Sequence, residues 1–286
     1  MKTIQRYFSK AIFLVSLCAA VCSTLVPLAG QASPAGGRKV LTKGGIVLML
    51  GASMFDLHEG DKRIEVVLKG LLEKRQAQAQ WKIYNEAHGG EYIGPKEGEP
   101  TGVSEPLFSS ETTGRYFEIR QRRPHADVII INYGGNDSKV YPPATFRKKL
   151  EMLGKHVKQD FPGSLIIFVT TMYVDPKHSG PYHRDDSSVP GFKDGSTRNL
   201  YLDPYNQEVR DFTAARGYGL ADVYRRVEQE TRRGNWDLRV RGDGEGDPRD
   251  DPKHAGDMAW FENIHPNDQG TRIIAETLLE ALLKSR

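Results

Sequence analysis

Cysteine is nearly missing from this chain. Of 286 residues only two are cysteine, Cys18 and Cys22, and both sit in an apolar run close to the N-terminus. Once that run is removed no thiol remains, which excludes disulfides, zinc–thiolate centres and a cysteine nucleophile. A remaining chain of roughly 250 residues buries enough apolar surface to fold without such staples. Charge of one sign is also scarce. The 40 Lys and Arg residues are nearly balanced by 37 Asp and Glu, leaving a formal net charge of +3, and the two signs are mixed along the sequence. That balance speaks against a nucleic-acid groove and against a polybasic membrane patch. Internal repeats are absent too.

The N-terminus reads as an address. Lys2, Arg6 and Lys10 stand without an acid among the first residues, "AIFLVSLCAAVCSTLVPLAG" follows, and small residues Gly30 and Ala32 close the segment. Basic, apolar, then small is the order of a secretory signal peptide, with cleavage expected after Ala32. The competing reading is an uncleaved anchor, because the apolar run approaches spanning length. Neither cysteine has the context of a lipoprotein site. The expected organisation is a signal peptide at 1–32, a short leader at 33–44 and one domain at 45–286. Such a protein is exported to the periplasm or the medium, with no stable membrane insertion after cleavage.

Within that domain, apolar runs alternate with amphipathic ones. "GIVLMLG" predicts a strand at 45–51, and Ile64, Val67, Leu68, Leu71 and Leu72 recur at helical spacing over 62–76. "WKIYN" begins a second strand, residues 127–132 ("DVIIIN") a third and "SLIIFVTTMYV" a fourth. Helices are expected at 143–160 and at 203–217, followed by a short strand in "LADVY". A last helix carries Ile273, Ile274, Thr277, Leu278, Ala281 and Leu282 on one stripe. Strands apolar throughout, alternating with amphipathic helices, indicate a mostly parallel sheet covered on both faces: a three-layer α/β/α sandwich. Two polar, Gly-rich stretches, 176–202 and 232–258, read as long loop insertions.

In open parallel sheets ligands bind beyond the carboxyl ends of the strands, so polar residues directly after buried runs are the candidates. The first strand delivers Ser53. The second is followed by Asn85 and then Gly89-Gly90, and the third by Gly134-Gly135-Asn136-Asp137. Just before the last helix stands "FENIHPNDQG", with Glu262, His265, Pro266 and Asn267. Singly, each has a plain alternative: a strand-end serine, turn glycines, a helix-starting His-Pro-Asn. Jointly they supply what acyl transfer needs. A serine attacks, a histidine takes and returns its proton, an acid orients the ring, and N–H donors hold the oxyanion. The acidic run Asp243-Gly-Glu245-Gly-Asp247 lacks a full calcium-loop pattern and has arginines beside it. His58, His88, His178, His183 and His254 show no metal-ligand spacing, so neither metal nor cofactor is expected.

These four segments resemble the sequence blocks of the SGNH hydrolases, the GDSL-type esterases and lipases. Gly51-Ala52-Ser53 stands where that family has Gly-Asp-Ser. Asn85 to Gly90 resembles its second block, Gly134 to Asp137 its Gly-x-Asn-Asp block, and Glu262-x-x-His265-Pro266 its Asp-x-x-His-Pro block. The resemblance implies Ser53 as nucleophile and His265 as general base. It implies an oxyanion hole from the N–H groups of Ser53 and Gly90 and the side-chain amide of Asn136, on a flavodoxin-like sheet. Ala52 and Glu262 depart from the family pattern, so the orienting acid is Glu262, another acid such as Asp257, or a backbone carbonyl. A carboxylic ester hydrolase follows. Its substrate is a small-molecule or glycan ester, with short acyl groups on carbohydrate favoured by the polar, aromatic-bearing loops. An O-acyltransferase, a non-catalytic glycan-binding module and a lipase or lysophospholipase are the alternatives.

Overall fold

The computed structural model describes residues 43–57, 60–95, 103–175, 195–235, 237–241 and 261–284. The side chains at 195–198, 240–241 and 261–264 lie outside the described residues, as do the expected signal segment, Asp257, the 243–247 acidic run and most of the two polar stretches. Five strands form one sheet: β1 (Gly44–Gly51), β2 (Gln80–Asn85), β3 (Val128–Asn132), β4 (Leu165–Val169) and β5 (Gly219–Ala221). Their order is β2-β1-β3-β4-β5 and every pairing is parallel.

Alternate residues of each strand serve opposite faces, as the period of two requires. Val47, Met49, Val128, Ile130, Ile167 and Val169 face one core with Ile64, Leu68 and Leu72 of α1 (Ile64–Arg75), Val223 and Val227 of α5 (Val223–Arg232) and Ile274, Leu278 and Leu282 of α6 (Asp268–Lys284). Leu48, Leu50, Ile129, Ile131, Ile166 and Phe168 face the other. There they meet Tyr116 and Ile119 of α2 (Arg115–Arg122), Phe146, Leu150 and Val157 of α3 (Pro143–Asp160), and Val209 and Phe212 of α4 (Gly195–Arg216). Both faces of β3 and β4 are therefore dry, which explains their unbroken apolar sequence. The three-layer α/β expectation holds.

Three local readings need correction. The helix expected from 203 begins at Gly195, inside a stretch read as loop, and runs through Pro204. Asn199 holds that early turn in place: its Oδ1 accepts from the Val174 N–H at 3.0 Å and its Nδ2 donates to the Val174 carbonyl at 2.6 Å. A polar residue that bonds a distant backbone leaves no mark on local composition. In the second polar stretch, β6 (Arg239–Arg241) pairs antiparallel with β7 (Phe261–Pro266), a long-range pairing without a local signal. Finally, Val223, read as part of the fifth strand, begins α5 with Asp222 as its cap, the Asp222 side chain accepting from the Arg225 N–H. Among the described residues, no helix is long and apolar enough to cross a membrane.

Candidate active site

The sheet order decides where a site can form. From β1 the chain crosses to β2 on one side and then returns to β3 on the other, so the connections diverge above the carboxyl ends of β1 and β3. Such a switch point leaves a crevice. Gly51 lies in register with Asn132, so Ser53 and the Gly134–Asp137 turn emerge side by side. Ser53 and the turn residues Gly134, Gly135 and Asn136 line one cleft of about 570 Å³ including its open mouth, together with Glu91, Thr171 and Met172. Ser53 sits in a turn closed by Phe55 N–H to the Ala52 carbonyl (3.0 Å) and Asp56 N–H to the Ser53 carbonyl (3.1 Å). It is half-buried, which suits a side chain that must meet a substrate.

The loop after β2 is bound to the loop after β1. Glu86 and His88 continue the strand pairing by donating to the carbonyls of Met49 and Gly51, each at 2.9 Å. Asn85 donates to the Phe55 carbonyl at 2.7 Å and to Glu65 at 2.9 Å, so its role is to brace. Gly89 N–H donates to Asp56 Oδ2 at 2.8 Å. Gly90 follows with φ of +78°, and a Cβ there would lie 2.9 Å from the Ser104 nitrogen. Only glycine fits that turn without strain.

The loop after β3 is locked by Asp137, which is fully buried. Its two carboxylate oxygens accept from Gly134 N–H and from Ile93 N–H, both at 2.9 Å, so one side chain ties the third loop to the second. Burial pushes its carboxyl up to about 6, against the backbone N–H groups that favour the anion. Asn136 donates from Nδ2 to the Glu91 carbonyl at 3.1 Å. An amide nitrogen has two hydrogens, so a second remains for the cleft that Asn136 lines.

Of the predicted residues, Ser53 and Asn136 are brought to one cleft, and Gly90 lies next to its lining residue Glu91. His265 and Gly90 are not among the described residues that line it. His265 stands half-buried near the end of β7. Asn267, just beyond, caps α6: its Oδ1 accepts from Gly270 N–H at 2.9 Å, its own N–H donates to the Leu238 carbonyl at 3.1 Å, and its Nδ2 donates to the Asp237 carbonyl at 3.1 Å. Gly270 permits this close approach, since a Cβ there would fall 2.0 Å from the Leu238 oxygen. An ion pair of 2.8 Å between Lys62 and Asp268 joins the start of α6 to the segment after Ser53, so the histidine segment lies toward the carboxyl end of β1. Glu262 belongs to β7, and its side chain lies outside the described residues. Sequence reasoning passed over Glu91, Arg115 and Asp56, because a charged residue in a polar loop carries no signal of its own burial. Among the described residues no group of three or more His, Cys, Asp or Glu is placed to hold a metal ion.

The sequence matches the model of the GDSL-like Lipase/Acylhydrolase family over residues 68–273, a span that contains Asn85, Gly90, Asn136 and His265 and begins after Ser53. No curated protein matches it. Among solved structures, LAE5, an alpha/beta hydrolase enzyme from the metagenome of Lake Arreo in Spain, is 16% identical with a TM-score of 0.53, the match covering 86% of this chain and 98% of that one. Axe2, an acetylxylan esterase from Geobacillus stearothermophilus, is 15% identical at a TM-score of 0.52, over 85% and 95% of the two chains. A member of the lipolytic G-D-S-L family from Veillonella parvula is 12% identical at 0.52, over 84% and 98%. At such identities the likeness speaks for the fold.

Proposed function

The chain belongs to the GDSL-like lipase/acylhydrolase family of the SGNH superfamily and is a serine hydrolase. On that premise we propose that it is an exported esterase that uses Ser53, His265 and Glu262, and that it removes short acyl groups such as acetyl from carbohydrate or another polar scaffold. The observation that carries the site assignment is the convergence of Ser53 and Asn136 on one cleft at the switch point of the sheet. Ser53 Oγ attacks the ester carbonyl while His265 takes its proton. The oxyanion is held by the N–H groups of Ser53 and Gly90 and the remaining amide hydrogen of Asn136. His265 then protonates the leaving alcohol, and water resolves the acyl-enzyme.

The cleft supports the substrate reading by its mixed lining. Ala52, Met54, Met172 and Leu202 offer apolar walls, and Glu91, Asn132, Asn136 and Thr171 offer polar ones. That mixture suits a small acyl group carried by a hydroxylated alcohol. Export rests on the basic, apolar, small-residue order of the first 32 residues.

The test begins with the intact mass of the mature protein after treatment with a fluorophosphonate, with Ser53→Ala and His265→Ala beside it. One adduct in the native protein and none in the variants is expected; no adduct in a folded native protein would overturn the reading and favour a glycan-binding module. Hydrolysis of acetylated sugars against long-chain esters then checks the acyl preference. Product formation with and without a polyol acceptor separates a hydrolase from an acyltransferase.

A further inference from the structure

The acyl-transfer scheme leaves one buried ionisable cluster unused. Glu91 is 1% exposed, follows Gly90 directly and lines the cleft with Ser53 and Asn136. Its backbone carbonyl is the acceptor for Asn136 Nδ2 at 3.1 Å. Its carboxylate accepts from the Tyr133 hydroxyl at 2.6 Å, and the other oxygen faces Arg115 Nε at 3.4 Å. Tyr133 immediately precedes Gly134, so it fixes the root of the Asn136 turn. Arg115 also donates from Nη1 to the Glu86 carbonyl at 2.8 Å and therefore grips the loop that leads to Gly90. One side chain thus joins both loops expected to supply oxyanion donors.

The groups that face Glu91 come from four elements: Arg115 from α2, Tyr133 from the end of β3, Asp137 from the turn after it and Asp56 from the loop after β1. Burial raises the Glu91 carboxyl to about 7. Arg115 and Tyr133 pull it down, while Asp137 and Asp56 push it further up. The 2.6 Å contact with Tyr133 has the length of a hydroxyl bonded to an ionised acceptor, and only the anion attracts Arg115. A buried charge is costly to keep, and as pure filling an uncharged side chain would serve this place equally well.

We propose that Glu91, as the carboxylate, is a positioning residue that holds the Asn136 amide against the developing oxyanion, acting through its own carbonyl and through Tyr133. This rests on the esterase reading above. Protonation releases Arg115 and weakens the Tyr133 bond, and the Gly134–Asn136 turn then drifts from Ser53. Small displacements of this kind cost rate rather than binding.

The experiment measures kcat and KM for a p-nitrophenyl acetate probe across pH, for native protein, Glu91→Gln, Tyr133→Phe, Asn136→Ala and Asn136→Ala with Glu91→Gln. In the native protein the acid limb of kcat should fall with the steepness of two protons, one of them taken up by Glu91. Glu91→Gln should lower kcat about 3- to 30-fold with KM within about twofold, and the limb should become that of one proton. Tyr133→Phe should lower kcat in the same way; it carries the test if circular dichroism shows that Glu91→Gln does not fold. In the Asn136→Ala background Glu91→Gln should cost nothing more. An equal cost in both backgrounds, or a two-proton limb retained by Glu91→Gln, would overturn the proposal. Fluorophosphonate labelling separates the two ways to fail. If the native protein is unlabelled, the esterase reading falls and this inference with it. If native protein and Glu91→Gln label at the same rate at every pH, only the positioning role falls.

Discussion

Two regions of the proposed site are held in different ways. The donor region is made of three loops that leave adjacent strands of one parallel sheet, and side chains bolt these loops to one another. Asp56 holds Gly89, Asp137 holds Ile93 and Gly134, and the Glu91 carbonyl holds Asn136. The base region stands outside that sheet, on a two-stranded ribbon, and is anchored through the cap of the last helix by Asn267. The difference has a consequence for catalysis. Electrostatic stabilisation gains most when its dipoles are fixed before the reaction, and the switch point fixes them through backbone geometry. The base needs only one well-placed imidazole, which a separate element can deliver.

That contrast can be broken at several strengths. The largest effect is expected where the two regions meet in one reaction: Ser53→Ala and His265→Ala should each lower turnover to background, on the order of 10⁶-fold, in steady-state assays with a short-chain ester. Full activity in either would remove that residue from the mechanism. Asn136→Ala comes next, with a fall of roughly 10²–10³-fold in kcat, the size of one oxyanion donor; an unchanged rate would leave the donor region without its side-chain member.

A third expectation concerns stability. The folded Glu91 carboxyl titrates near 7, above its ordinary 4.5, so folding favours the protonated form. Its contribution is fully present below about pH 4.5 and is lost as pH rises through 7. Relative to Glu91→Gln, the native protein should therefore lose up to roughly 3 kcal/mol between those limits, read from urea unfolding at each pH. Parallel stability curves for the two proteins would show that folding does not seal the Glu91 carboxyl from water. The smallest effect is expected on the other side: Asn267→Ala removes a cap from α6 and should cost about 1 kcal/mol, seen as a lower midpoint in thermal unfolding. A cost several times larger would mean that the base region is braced as strongly as the donor region.

Some of this was readable in advance. The apolar runs at β1, β3 and β4 and the stripes of α3 and α6 were legible, because burial on both sides of a sheet leaves no choice of residue type along the strand. Ser53 and Asn136 were legible as cleft residues because each stands in a polar turn just after a buried apolar run. The early turns of α4 and the β6–β7 pairing were not. Asn199 reaching Val174, and Arg239 lying in register with Pro266, join residues far apart in the chain, and local composition has no term for such contacts.

The sequence by itself determined the layers, the strand-end serine, the amide and the histidine, since periodicity and residue chemistry are local properties. Only the tertiary structure decided that Gly51 and Asn132 lie side by side, that Asn85 braces where Asn136 faces the cleft, and that Glu91 is buried between Tyr133 and Arg115. Whether a charged side chain is solvated or sealed depends on which distant elements close over it, and that is settled only when the loops of β1, β2 and β3 are brought together.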